Sequence, residues 1–586
     1  MSIVRLGKIH LHWCDNCNVP LVEEGRCGIC SQKGRKVKIT PPGDVRPAFD
    51  EDIDLIRSTI DRQWGEGYSK KIINTDKVIL LNSSPALDRM DEVIVDGVVV
   101  GNLRYNLLKK AKSREPYEFI IRPWKDLKRP RKGFIIVDDG AVEPIKNGAS
   151  ALAPGVLETD TNIEVNDEVI ISDSDKNVIA SGSAQMSGEK MLNEDYGKGV
   201  KNRWRSSDYK PKENGQGWED VLKANEDLMK TRIDQSLKFI KNKVDEFDLP
   251  VAVAYSGGKD SLATLHLVLD SKIKPDLMFV DTGIELPETI ENVKDVAEKH
   301  DLDLLMRKAH SGYWNNVEYF GPSARDYRWC CKTCKLGPTS RLIDDNYEDG
   351  VLSFIGQRRY ESQQRMQKGN TWDNPWVPGQ KSASPIQDWT ALHVWLYIFM
   401  KDANYNPLYE KGFKRIGCWL CPASDLAELE MIKENLDEFT ELDKALDRYM
   451  KKTDLPEEWK RLHLWRWIDI PEDVDRIMEE LDVHLEESEH GHEKIVKEEL
   501  LKDERTNNLI KILDKNKNLD NIDKDDLFQI YLKANYCVEC GICLVRCPND
   551  ALSFDEGIIL DEEKCDSCKK CLGKCPVIEY DERVIF

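Results

Sequence analysis

The chain of 586 residues contains no apolar run of about 18 or more, so no segment reads as a membrane-spanning helix. Its opening, MSIVRLGKIHLHWCD, lacks the apolar stretch that a secretion signal needs. Positive charge is also short: 85 Lys and Arg stand against 106 Asp and Glu, a formal net charge of −21. Such a field repels phosphates before contact and excludes a non-specific polyanion binder, so any nucleic-acid site must be local. Together these absences predict a soluble, cytoplasmic protein. In that compartment the 17 cysteines read as metal ligands or reactive thiols rather than disulfides. The length exceeds what one core supports and predicts about four or five domains.

The cysteines fall into three groups. Cys14, Cys17, Cys27 and Cys30 form two C-x2-C knuckles whose thiolates can close a tetrahedron, which predicts a zinc ribbon over 1–40. So short a segment has no core in which to bury incidental cysteines. Near the other end, Cys537, Cys540, Cys543 and Cys547 precede Cys565, Cys568, Cys571 and Cys575, and each run reads C-x2-C-x2-C-x3-C-P. In this bacterial ferredoxin spacing the fourth cysteine of each run ligates the other cluster, so 531–586 is expected to carry two [4Fe-4S] clusters. Cys575 then joins the first three and Cys547 the second three. Between these groups lie Cys330, Cys331, Cys334, Cys418 and Cys421. Four of the five can hold one further metal centre, and spacing alone leaves open which four and whether the metal is zinc or iron.

The stretch LPVAVAYSGGKDSLATLHLVLD joins a short β-rich run to an amphipathic helix through a glycine-bearing turn. An anion at that helix's N-terminus meets unpaired N–H groups and the positive end of the dipole, and Lys259 adds a point charge. With FVDTGIELPET and GQRRYESQQR, this sequence resembles the phosphoadenosine phosphosulfate (PAPS) reductase family of PP-loop adenine-nucleotide alpha-hydrolases. The resemblance implies a multidomain α/β chain whose central domain, at 219–480, is a doubly wound parallel sheet. It makes Ser256, Gly257, Gly258, Lys259, Asp260 and Ser261 the phosphate loop, with Asp281 and Glu285 near the nucleotide and Arg358 and Arg365 on a sulfate or phosphate. It also makes Cys330, Cys331, Cys418 and Cys421 the ligands of a third [4Fe-4S] cluster and leaves Cys334 a free thiol. Two departures are visible: the family's C-terminal E-C-G-x-H nucleophile has no counterpart outside the ferredoxin cysteines, and SGGKDS keeps the Lys and Asp typical of members that split ATP.

Residues 131–204 alternate short β-branched strands with Gly, Asn and Asp turns, the pattern of a small barrel. GAVEPIKNGASALAPG resembles a PUA domain, which implies RNA as a partner. Ahead of it, 41–130 reads as an α+β region. Its stretch with Lys109, Lys110, Lys112, Arg114, Arg122, Lys125, Lys128, Arg129, Arg131 and Lys132, interleaved with Tyr117, Phe119 and Trp124, is expected to form an RNA footprint. Residues 205–218 read as a polar linker and 481–530 as a charged helical connector, with His484, His490 and His492 at its start. The function these features predict is ATP-dependent sulfur transfer to RNA, tRNA included, through an adenylated base. Lys259 and Asp260 act in the loop, Cys334 carries sulfur, and the ferredoxin module receives electrons from a separate donor. The alternatives are a PAPS or adenylyl-sulfate reductase that makes sulfite, and a redox-responsive RNA-binding protein.

Overall fold

A computed structural model describes residues 6–74, 76–213, 215–310, 312–433, 439–485, 502–513, 523–555 and 557–580. The N-terminal strands His12–Cys14, Val19–Leu21 and Arg35–Lys36 form a small antiparallel sheet, with Cys14 ending the first strand and Cys17, Cys27 and Cys30 on the connections. It is tied to the central domain through Asn225, whose amide bonds the Val22 N–H and the Pro20 carbonyl. Next comes a five-stranded antiparallel sheet over Val45–Ile121. The helix Asp50–Trp64 packs on it, burying Ile56, Ile60 and Trp64 with Val93, Leu103 and Phe119.

The 131–204 region is a six-stranded sheet in which Phe134–Val137 and Glu168–Ser172 run parallel and the remaining pairs antiparallel. Its last strand, Lys198–Arg205, passes into the polar segment expected as a linker. That segment is pinned: buried Asp96 accepts from Tyr209 Oη at 2.8 Å, from the Lys212 N–H at 3.0 Å and from Lys77 Nζ at 2.9 Å.

The central domain carries a six-stranded sheet in the order Leu304–Lys308, Asp276–Asp281, Val251–Ala254, Val351–Ile355, Gln380–Ala383, Thr371–Asp373. All but the last pairing are parallel. Parallel strands are covered on both faces, which is why Val251–Ala254 and Val351–Ile355 read as nearly unbroken apolar runs. The chain starts in the middle at Val251–Ala254, builds outward on one side, then returns to Val351–Ile355 on the other. The strand order therefore reverses between these two strands, and in open α/β sheets the crevice beyond the carboxyl ends at such a reversal is where ligands bind. Helices Trp218–Phe247, Lys259–Asp270, Pro287–Lys299 and Ala391–Met400 supply apolar faces to the core.

At the C-terminus, the hairpin Leu552–Phe554 and Ile558–Leu560 and the helix Lys524–Asn535 surround the remaining cysteines. This module sits directly on the central domain. A Cβ on Gly337 would stand 2.5 Å from the Cys540 carbonyl oxygen, and Ile542 is buried with Leu342 and Ile343. Within the expected connector, 486–501 and 514–522 lie outside the described residues, His490 and His492 with them. His484 is exposed, 3.5 Å from Asp482. Among the described residues no helix is long and apolar enough to cross a membrane.

Candidate functional site

The strand Val251–Ala254 ends in Tyr255, and Ser256-Gly257-Gly258 turns the chain into the helix Lys259–Asp270. Gly257 has φ +71°, the left-handed region where glycine is free of the Cβ penalty, and a Cβ there would reach 2.8 Å from Thr289 Cγ2. Ser261 Oγ donates to the Gly258 carbonyl at 2.9 Å and lies 3.2 Å from the Ser256 N–H, which draws the turn closed. Tyr409 Oη accepts from the Lys259 N–H at 2.8 Å. Lys259 Nζ rests on Asp260 Oδ2 at 2.7 Å; an ammonium has three donors, so two remain for phosphate oxygens.

Asp260 is the junction of this region. Arg358 Nε donates to its Oδ1 at 2.6 Å, while Arg358 Nη1 donates to Asp44 at 2.7 Å. Burial pushes the Asp260 carboxyl up, but Arg358 and Lys259 outweigh it and hold it at about 2. Arg358 is 2% exposed. Nε and Nη1 of Arg358 are engaged by carboxylates and tie the guanidinium to the loop, so the expected contact with an oxyanion falls to its remaining donors. Arg365 lies one helical turn beyond Glu361 and pairs with it. Its guanidinium is engaged there, though it remains 43% exposed at the rim.

Asp281 ends the adjacent strand and accepts from the Gly283 N–H at 2.8 Å. Glu285, expected beside the nucleotide, faces the middle cysteines instead, accepting from the Cys418 thiol at 3.3 Å and from Thr282 Oγ1 at 2.9 Å. Burial pushes its carboxyl up. The Trp419 N–H donates to the Ile284 carbonyl, and the Ile416 carbonyl lies against Gly258. The phosphate loop and the middle cysteines therefore share one end of the sheet.

Cys330 and Cys331 are in contact, and Cys330 interacts with Cys418, which interacts with Cys421. Arg415 Nη2 lies 3.2 Å and Arg328 Nη2 3.8 Å from Cys421 Sγ. The hydrogen bond with Cys330, then Arg328, Lys335 and Lys332, hold the Cys331 thiol down at about 5. Cations around a converging thiol set fit thiolate ligands of an anionic centre. Sequence reasoning missed Arg328 and Arg415; a basic residue two or three positions ahead of each cysteine pair was the available signal. Cys334 also neighbours Cys330 and Cys331 and is 1% exposed, with Thr333 Oγ1 at 3.4 Å and Asn316 Nδ2 at 3.8 Å. Burial pushes its thiol up to about 11. Burial and a raised thiol disfavour the thiolate that the expected role of Cys334 as sulfur carrier would need.

The outer cysteine sets differ in build. The Sγ atoms of Cys14, Cys17, Cys27 and Cys30 all lie within 4.8 Å of one another, Cys14 and Cys30 at 3.4 Å. Tetrahedral zinc with Zn–S of about 2.3 Å spaces its thiolates about 3.8 Å apart, so this set fits one metal ion. Among the described residues no other group of three or more ligands converges so tightly. At the C-terminus, Cys537 and Cys540 each face Cys543 and Cys575. Cys547, Cys565, Cys568 and Cys571 line one cavity with Ile512, Leu552 and Leu560. The thiols are thus grouped crosswise between the two cysteine runs and could hold metal.

Much of the expected RNA footprint is engaged in ion pairs within the chain. Lys109 pairs with Glu118 and Asp167, Arg114 with Asp167 and Glu164, Lys110 with Glu430, Lys112 with Glu480 and Arg122 with Glu92. Phe119 and Trp124 are buried at 0% and 3% exposure, with no face left for a base. In so acidic a chain, neighbouring modules supply carboxylates, and these cations join the sheet region to the barrel and to the central domain.

Residues 250–424 match the phosphoadenosine phosphosulfate reductase domain, and residues 133–204 match the PUA domain. The uncharacterized protein MJ0066 of Methanocaldococcus jannaschii is 41% identical over 475 residues, covering 79% of this chain and 97% of that protein. MJ0973 of the same organism is 30% identical over 409 residues, 68% of this chain and 92% of the relative. The chain belongs to the family of these two archaeal proteins, with a phosphoadenosine phosphosulfate reductase domain at its centre. An adenosine 5'-phosphosulfate reductase of Lysinibacillus sphaericus is 26% identical over 201 residues, covering 33% of this chain and 83% of that enzyme. The match to that enzyme spans a third of this chain, and the residues that match the PUA domain lie outside 250–424.

Proposed function

We propose that this PAPS reductase-domain protein is an ATP-dependent RNA sulfurtransferase. The observation that carries the reading is the shared sheet end: the Ser256–Ser261 loop and the Cys330, Cys331, Cys418 and Cys421 set meet through Ile416–Gly258 and Glu285–Cys418. Gly257, Gly258 and the first turn of the helix hold the triphosphate with Lys259, and Asp260, fixed by Arg358, holds Lys259. A carbonyl oxygen of an RNA base attacks the α-phosphate, pyrophosphate leaves, and the base carries AMP. A sulfur nucleophile then adds at that carbon, and the original carbonyl oxygen departs with AMP. Positioning and charge neutralisation by the loop supply the rate. Iron–sulfur clusters on the middle and C-terminal cysteines would supply sulfur ligation and electrons, and zinc at the N-terminal four would supply folding stability. The PUA domain supports RNA as the second substrate. The ferredoxin claim on Cys540, the nearest string to the family's tail nucleophile, weighs against plain sulfate reduction.

The relative named as a reductase favours one rival, release of sulfite from an activated sulfate in the same pocket. Reduced, anaerobic full-length protein separates the two. AMP and pyrophosphate formed only when ATP and RNA are both present support sulfur transfer; sulfite from PAPS without RNA replaces it with reduction. Turnover of neither nucleotide, with RNA still bound, leaves a redox-responsive RNA-binding protein. The metal content expected is about 12 iron atoms and about one zinc, from four irons per cluster and one ion per ribbon.

A further inference from the structure

The C-terminal module contains a cation that the proposed reaction does not use. Lys533 lies on the helix Lys524–Asn535, ahead of the first ferredoxin cysteine, and is 1% exposed. Its Nζ is 3.4 Å from the Cys571 carbonyl oxygen and reaches the Cys543 thiol. The opposite charges that face it belong to Cys543, Cys575, Cys537 and Cys571. Among the described residues no carboxylate pairs with it, although nearly every other buried cation here has one. Cys537, Cys543 and Cys575 belong to one set of four and Cys571 to the other, so the ammonium stands between the two.

An ammonium removed from water persists only beside compensating negative charge. Neutral thiols supply none. Thiolates bound to iron do, and their excess charge grows by one unit each time a cluster takes up an electron. Net charge and hydrogen bonding to the sulfurs are among the terms that set such a potential.

We infer that Lys533 is a positioning residue shared by both C-terminal cysteine sets, whose buried charge raises the reduction potential of the clusters held there. The inference rests on reading the eight cysteines as cluster ligands. In the reduction step a one-electron donor of low potential, such as a reduced viologen, gives up one electron and leaves oxidised by one unit. No covalent bond forms or breaks, and the arriving negative charge faces the buried Lys533 side chain already in place. Both clusters thereby accept electrons from weaker donors than they otherwise would.

The test uses the full-length chain, purified without oxygen, with iron and sulfide quantified and the clusters titrated by EPR-monitored redox titration. Lys533→Gln is expected to keep its iron and to lose at least tenfold in the equilibrium for reduction, a midpoint 59 mV or more further negative. Lys533→Arg, which keeps the charge, stays near the parent. Lys569→Gln, which removes an exposed ammonium paired with Asp526, shifts the midpoint far less. Full iron in Lys533→Gln with an unmoved midpoint overturns the proposal. Should Lys533→Gln lose its iron, Lys533→Arg decides: retained iron and midpoint support a role for charge, and equal loss overturns it. A parent chain without iron in the C-terminal module refutes the cluster reading itself, an outcome distinct from all of these.

Discussion

The phosphate loop and the basic stretch ahead of the PUA domain both looked like anion sites, yet they are built on opposite plans. Around the loop, Asp44, Asp260, Arg358 and Lys259 form a largely buried network in which each charge fixes the next, leaving two of the Lys259 ammonium donors for a ligand. Along 109–125 the cations are more exposed, and carboxylates from three modules neutralise them. The difference teaches that the number of cations in a segment says little about anion binding. What matters is which acidic groups the fold brings alongside.

The largest effect expected from breaking this contrast is at Arg358. Arg358→Ala leaves the partly buried Asp44 without its cation and Asp260 with Lys259 alone, and should cost about 3 kcal/mol in denaturant unfolding. An unchanged midpoint would show that the network is incidental. Lys259→Ala should keep the fold while AMP formation drops by about 10²–10³-fold, the loss typical of removing one preorganised donor; activity within a few-fold of the parent would remove Lys259 from the phosphate site.

A smaller effect follows from acid. The Asp260 carboxyl is depressed from 3.8 to about 2, so the unfolded chain binds the proton first. The stability it contributes is therefore present above about pH 4 and is lost as pH falls through about 2, an amount of about 2 kcal/mol. Asp260→Asn should flatten the unfolding profile in that window. Smallest of all, Lys110→Gln with Lys112→Gln should cost at most about 1 kcal/mol, because both pairs are substantially exposed. RNA affinity and its salt slope should not change; a slope reduced by about two would return these lysines to the footprint.

Much of the fold was legible because its signals are local. The short apolar run, glycine-bearing turn and amphipathic pattern around SGGKDS announced a strand, turn and helix, the family resemblance implied the parallel sheet, and SGGKDS lies at the turn where the strand order reverses. Cysteine spacing was equally plain, since knuckles and ferredoxin runs place their thiols through a few backbone angles. Other features had no local signature. Asp44 meets Arg358 across 314 positions of sequence, and Glu285 turns from the nucleotide to Cys418 across 133. The burial of Cys334 between Asn316 and Thr333 and the placing of Lys533 between two thiol sets depend on how helices pack.

By itself the sequence determined the kinds of parts this protein holds: a glycine-bearing turn at a helix N-terminus, three groups of thiols and a small β-rich domain. These follow from spacings short enough for the backbone to enforce. Only the tertiary structure decided which charges stay available, which thiols converge and which are sealed. Those outcomes turn on desolvation and on partners far apart in the chain, and both come into being only when the modules pack.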